Sequence, residues 1–437
     1  MSALAAPLRP ALLLAVALAL LGGCAAGDSE GRTTPAGDPG GVQARQAQSF
    51  VSSLGVNTHT YYTDTVYHRR FGTIERRLVE LGIRHVRENL ELHRPDQYRM
   101  LRRLAAAGIK VQPIIGDPRN GLAGMRRLLG ALATRLDGAA DAIEGPNEYD
   151  LSGDRRWRAR LDRYQRALYD AVRDTPALAK LPVVAPSVGQ LKDERLVTDL
   201  SRYLDYGNVH SYPDAEPPES NLGEWLLAAA RTSGGKPVMA TETGYHTAVH
   251  ASEGQRPVSE GAMATYVPRL YLDYFSSGVV RTFPYELVDE FPDPGRGEPE
   301  WNFGLLRNNL SPKPAFTAVR NLVATVADPG PSFAPGRLDY TLSGDTGGLR
   351  SLLLQKRDGR FYLALWRTSS VWNANARTAL HPGAAPVQVA FASPPSRVSL
   401  YLPNRARRSQ ERLRLSAGTT SVEVGPRVAL LEIDPAG

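Results

Sequence analysis

Short apolar runs alternate with segments of helical periodicity between about residue 50 and residue 326. Residues 53–59 read as a first strand and its loop. Thr73 can cap a helix whose Ile74, Leu78 and Leu81 recur at i, i+4 and i+7, and Gly82 ends it. A second strand follows at 83–87, Pro95 opens a second helix, and 109–115 is a third strand. A helix over 121–136 leads to a fourth strand ending at Glu148. A helix over 155–174, strands at 181–185 and 206–210, and a helix at 222–230 come next. The seventh strand is 237–241, a helix covers 259–276, and the eighth strand is 278–284. A closing helix opens at Lys313 and runs to about 326. Eight strand–helix units predict an α/β fold, a parallel sheet closed into a (β/α)8 TIM barrel over 47–328.

After Pro329-Gly330-Pro331 the period changes from helical to strand-like. Runs at 361–366, 387–391, 397–401 and 428–433 are rich in β-branched and aromatic residues, and Asp358-Gly359 is a hairpin signal ahead of the first. Residues 329–437 are expected to form a small antiparallel β-sandwich.

The N-terminus departs from both patterns. Arg9 precedes an apolar run from Ala11 to Leu21 that is short for a bilayer span and fits a signal peptide. It ends in Leu21-Gly22-Gly23-Cys24, which resembles a bacterial lipobox. The resemblance implies a lipoprotein signal over 1–23 and lipidation of Cys24. It also implies an exported protein anchored to the outer face of the cytoplasmic membrane. Cys24 is the only cysteine, so disulfides within the chain are excluded. Residues 24–46 are poor in large apolar side chains and read as a flexible tether. The whole chain of 437 residues carries 52 Lys and Arg against 45 Asp and Glu, a formal net charge of +7. No basic run is dense enough to indicate nucleic acid. No Cys/His zinc pattern, P-loop or dinucleotide fingerprint occurs, so neither a cofactor nor a metal is expected. Oligomeric state is open.

Active sites of such barrels lie at the C-terminal ends of the strands. The polar residues there include Asn57 and His59, Arg87 and Glu88, Asp117, Asn147 and Glu148, His210 and Tyr212, Glu242, Tyr285 and Glu286. Glu148 ends the fourth strand region and Glu242 follows the seventh, so they would face each other across the barrel. Two carboxylates across a sugar-sized cleft are equipment for cleaving a glycosidic bond. Glu286, Asp289 and Glu290 form an acidic cluster for which cation binding is one reading, but no regular oxygen-ligand spacing occurs and a solvated loop is preferred.

Over roughly residues 50–326 the chain resembles the clan A glycoside hydrolases, the superfamily that includes families 5, 39 and 51. The resemblance rests on Asn147-Glu148 after strand 4, Glu242 after strand 7, Arg87 after strand 2 and His210-Ser211-Tyr212 after strand 6. It implies Glu148 as acid/base, Glu242 as nucleophile, and a retaining mechanism. Arg87 would keep Glu242 ionised, Tyr212 would orient it, Asn147 would hold a sugar hydroxyl, and His210 would contact substrate or serve the structure. Tyr149 follows Asn147-Glu148 where family 5 usually has proline, so the family is unassigned. Phe283-Pro284-Tyr285 stands where many members have tryptophan. The sugar platform would then come from Tyr285 or Trp301, with Tyr61, Tyr62, Tyr149 and Tyr245 as further candidates and His59 as another contact. Two readings follow. One is a retaining glycoside hydrolase acting on an extracellular carbohydrate; the other is a non-catalytic glycan-binding surface lipoprotein on the same barrel.

Overall fold

The computed structural model describes residues 41–136 and 138–436. The expected signal sequence and Cys24 lie outside the described residues. Among those described, no helix is long and apolar enough to cross a membrane.

Eight short parallel strands carry the first part of the fold. Strands β1 (Gly55–Asn57), β2 (His85–Asn89), β3 (Lys110–Ile114), β4 (Ile143–Glu144) and β5 (Val183–Val184) form one sheet in that order. Strands β6 (Gly207–His210), β7 (Val238–Thr243) and β8 (Thr282–Pro284) form a second. Parallel bridges link the two sheets at either end, Val184 to Tyr206 and Leu54 to Thr282. Helices cover the strands, most of them burying one apolar stripe, while Glu260–Ser276 is buried on all sides from Ala262 to Phe275. In Phe71–Leu81 that stripe is Phe71, Ile74, Leu78 and Leu81, and Gly82 at φ 81 closes it in the left-handed conformation that glycine tolerates. The connection from β5 to β6 carries no long helix, only Leu191–Glu194 and the turn Ser201–Tyr203.

The fourth strand stops sooner than its sequence suggests. It ends at Glu144 because Gly145 and Pro146 turn the chain away, and Pro146 has no N–H for a ladder. The Gly145 amide still donates to Val184, and Ser187 and Glu148 then exchange backbone bonds across the turn with Pro146 and Ser187. Glu148 therefore sits four residues beyond the strand, at φ 42, an uncommon conformation for a non-glycine residue.

The C-terminal part has two antiparallel sheets packed on one core. Strand β9 (Tyr340–Gly344) pairs with β12 (Ala385–Phe391), which pairs with β14 (Thr419–Val424). The other sheet centres on β11 (Phe361–Arg367), flanked by β10 (Leu349–Gln355) and β15 (Ala429–Asp434), with β13 (Arg397–Tyr401) beyond. Every residue of β11 is buried. Phe361, Leu363 and Leu365 enter the sandwich core, while Tyr362, Ala364 and Trp366 join the core of the first part. A strand covered on both faces reads as a continuous apolar run. Trp366 reaches helix Glu260–Ser276, where its Nε1 donates to Asp273 at 3.2 Å.

The expected tether ends earlier than residue 46. Val42–Gln43 pairs with Arg337–Leu338, and Arg45–Gln46 adds a parallel edge to β10. The two short strands satisfy sheet edges that would otherwise be open.

Two outcomes follow from this packing. A Cβ on Gly145 would lie 2.2 Å from Gln165 Oε1 and 2.9 Å from the backbone nitrogen of Pro186. Gly145→Ala is expected to destabilise the fold by about 1–3 kcal/mol, read from urea melts. Burial, then repulsion from Glu219, pushes the Asp273 carboxyl up to about 8. The folded protein thus holds a proton that the unfolded chain releases near pH ~4, and stability falls as pH rises between those values. Asp273→Asn should gain on the wild type by up to about 1.4 kcal/mol per pH unit between about pH 5 and about pH 7. Parallel pH-dependent melts check this.

Candidate active site

Arg87 lies on β2 and is 3% exposed. Its guanidinium has five N–H groups, and all five are used. Nε and NH2 reach the two oxygens of Glu144 at 2.8 and 2.7 Å. NH1 donates to Glu242 Oε1 at 2.6 Å and to Asn57 Oδ1 at 3.0 Å, and NH2 also donates to Asn147 Oδ1 at 2.6 Å. Burial works against its charge, but Glu144 and Glu242 outweigh burial and raise its pKa. Asn57 in turn donates to the carbonyls of Thr241 and Phe283, which ties β1 to β7 and β8.

Glu144 is the hub that sequence reasoning missed. It is fully buried and also accepts from Gln112 at 2.8 Å, Asn208 at 3.2 Å and Thr241 at 3.1 Å. The available signal was a carboxylate inside the apolar run Ala142-Ile143-Glu144, since buried charges are paired.

Glu242 and Glu148 meet at His210. Tyr212 donates to Glu242 Oε2 at 2.8 Å. His210 Nδ1 is 2.7 Å from Glu148 Oε1 and 3.6 Å from Glu242 Oε2. One oxygen of each carboxylate and a ring nitrogen of His210 lie within 4.8 Å of one another. Burial alone would raise Glu242, but His210, Arg87 and Tyr212 hold it below the usual carboxylate range. Burial alone would lower His210, yet Glu242 and then Glu148 raise it. The other ring nitrogen, Nε2, is 2.9 Å from Thr241 Oγ1, whose hydroxyl faces the acceptors Asn208 Oδ1 and Glu144 Oε1. If Thr241 donates to one of those acceptors, it accepts from Nε2–H, and Nδ1 is left to share a proton with Glu148.

The remaining predicted residues fall into two groups. Tyr285 packs edge-on to His59 and Phe303, and its hydroxyl is 3.4 Å from Glu300. Tyr62 stacks on His59 with ring centroids 4.8 Å apart. Trp301 packs on Phe291 and stays partly exposed. Tyr149 and Tyr245 are buried and bonded to Asp154 and to the Glu216 carbonyl, so neither offers a free ring face. Asp117 pairs with Arg119 in the turn after β3. The acidic cluster is not a solvated loop: Glu286, Asp289 and Glu290 are 0%, 7% and 7% exposed. Asp289 pairs with Lys313 at 2.8 Å, and Glu286 accepts from Tyr67 at 2.8 Å. These contacts join distant segments, which local spacing does not show.

No protein-family model matches the chain, and no curated protein matches it. Solved structures do. A family 39 glycoside hydrolase from the gut symbiont Bacteroides cellulosilyticus is similar at TM-score 0.65 and 14% identity, covering 89% of this chain and 82% of that one. A glucosidase from Croceicoccus marinus follows at TM-score 0.59 and 14% identity, with 91% and 98% covered. The GH39 enzyme from Xanthomonas axonopodis pv. citri gives TM-score 0.58 and 15% identity, with 90% and 96% covered. Such neighbours are TIM barrels with a C-terminal domain. What this chain shares with them at these identities is the fold, over nearly its whole described length.

Proposed function

We propose that the protein is a retaining glycoside hydrolase cutting O-glycosidic bonds of an extracellular oligo- or polysaccharide. In this reading the two parallel sheets, bridged at both ends, are one closed (β/α)8 barrel, and Glu148 and Glu242 project from its rim. Cys24 carries a lipid that anchors the exported enzyme to the outer face of the bacterial cytoplasmic membrane.

One observation carries the reading: oxygens of Glu148 and Glu242 within 4.8 Å of each other. Retaining pairs stand about 5–5.5 Å apart carboxyl to carboxyl, and nearest oxygens this close accord with that spacing. The shared fold with glycoside hydrolases supports it. Glu242, held ionised, attacks the anomeric carbon and forms a glycosyl ester as the bond to the leaving oxygen breaks. Glu148 gives its proton to that oxygen. It then takes a proton from the water that opens the ester. His210 Nδ1 orients Glu148, and Tyr212 and Arg87 hold both oxygens of Glu242. Asn147 spends its carbonyl oxygen on Arg87 and keeps its amide N–H groups for a sugar hydroxyl.

Two measurements test these roles. A mechanism-based fluorosugar series should label Glu242, and Glu242→Gln should lower turnover by on the order of 10⁴-fold on a responsive aryl glycoside. Failure of every sugar configuration to label Glu242, with unchanged turnover in the variant, would leave only a glycan-binding role. Glu148→Ala should slow turnover of substrates with poor leaving groups by about 10²–10⁴-fold, with partial rescue by azide. An equal rate for wild type and variant on such substrates would remove Glu148 as the acid.

A further inference from the structure

Beside the carboxylate pair, at the ends of β1 and β8, lies a second group of donors. His59, Glu286 and Glu290 each place one ligand atom within 4.8 Å of the other two. The first such group, Glu148, His210 and Glu242, has its donors occupied: both His210 nitrogens and both Glu242 oxygens have partners. In the second, His59 and Glu286 have unmet atoms. Neither ring nitrogen of His59 has a hydrogen-bond partner, although both are buried, and Glu286 Oε1 is likewise buried and unpartnered. Among the described residues no lysine or arginine pairs with Glu286, which is 0% exposed. Leaving such groups unmade costs about 1–3 kcal/mol each, so native proteins keep few of them without a reason.

The surroundings hold these donors in place. His59 is fixed by packing alone: it stacks on Tyr62 at an interplanar angle of 10° and takes ring edges from Tyr61, Tyr67 and Tyr285. Tyr67 accepts from the Val288 amide at 3.0 Å, which directs its own O–H to Glu286 Oε2 at 2.8 Å. A hydrogen-bonded carboxylate beside an orientationally locked imidazole is what the outer shell of a metal site supplies. His59 Nε2 and Glu286 Oε2 are 3.4 Å apart without forming a hydrogen bond. Two ligands about 2.1 Å from a tetrahedral ion are separated by roughly that distance.

We propose that His59, Glu286 and Glu290 bind one divalent transition-metal ion of the zinc or manganese type, which ties the β1 and β8 loops together at the rim of the cleft. One imidazole nitrogen with two carboxylate oxygens suits such an ion. Calcium, which takes about 6–8 oxygen ligands, is a poor match. The site does not rest on the glycosidase reading, because its donors are separate from Glu148 and Glu242 and its test reads metal binding, not turnover.

The test is calorimetric titration of the chelator-stripped protein with Zn²⁺ and Mn²⁺, alongside thermal melts. The expected result is saturable binding of one ion per chain with a rise in Tm, and weak or no heat with Ca²⁺. His59→Phe preserves the ring packing and removes the nitrogens, and it should weaken binding at least tenfold. Glu290→Gln should do the same, and Tyr67→Phe should weaken it about 10–100-fold. Circular dichroism establishes that each variant is folded, and Glu290→Gln decides the matter if His59→Phe is not. Absence of saturable binding overturns the proposal. So does equal binding by wild type and Glu290→Gln, or binding lost in Glu242→Gln and kept in His59→Phe, which would move the ion to the catalytic carboxylates.

Discussion

The buried guanidinium of Arg87 is the constraint on which the cleft depends. Taking such a charge out of water costs several kcal/mol, recovered only if every N–H is met with good geometry. Here each of the five is met, by partners on β1, on β4, in the turn after β4, and on β7. The partners are themselves committed. Glu144 is bound to Gln112, Asn208 and Thr241, and Asn57 to the carbonyls of Thr241 and Phe283. Strand ends far apart in sequence are thereby held in one polar layer above an apolar interior. Removing one member leaves another buried and unsatisfied, so the layer stands or falls together.

That layer explains the turn after β4. Asn147 must reach NH2 of Arg87, and Glu148 must reach His210, from a strand that has already ended. Gly145 lets the chain pass close to Pro186, and Glu148 takes a left-handed conformation to aim its side chain. Such backbone outliers persist where surrounding contacts over-determine them, and they cluster at functional sites.

Much of this was legible in the sequence, for a physical reason. Period-two and period-3.6 patterns report burial, and burial is what strands and helices share with the core, so strands 2, 4 and 7 could be counted, with Arg87 and Glu242 near the ends of two of them and Glu148 beyond the third. What was not legible depended on contacts between distant segments. Glu144 looked like part of an apolar strand because its partners come from β2, β3, β6 and β7. Residues 42–46 looked like tether because their sheet partners lie some three hundred residues on, at Arg337–Leu338 and in β10. The Glu286–Glu290 segment looked solvated because Lys313 and Tyr67, which bury it, are remote in sequence.

The charge count around Arg87 bears on how the proposed chemistry can proceed. Arg87 offsets Glu144, which leaves Glu242 as the remaining negative charge, beside the hydrogen-bonded Glu148–His210 pair. Attack by Glu242 turns that carboxylate into a neutral ester. In the same step Glu148 loses its proton to the leaving oxygen and becomes negative. The net charge of the enzyme groups is the same before and after, and it has only moved across the cleft, past His210. Glu242 and then Glu148 raise His210, so in the proposed step the support lost as Glu242 becomes an ester is replaced by the nearer, newly ionised Glu148. The buried Arg87–Glu144 pair contributes a field that stays constant throughout, because neither member changes its charge.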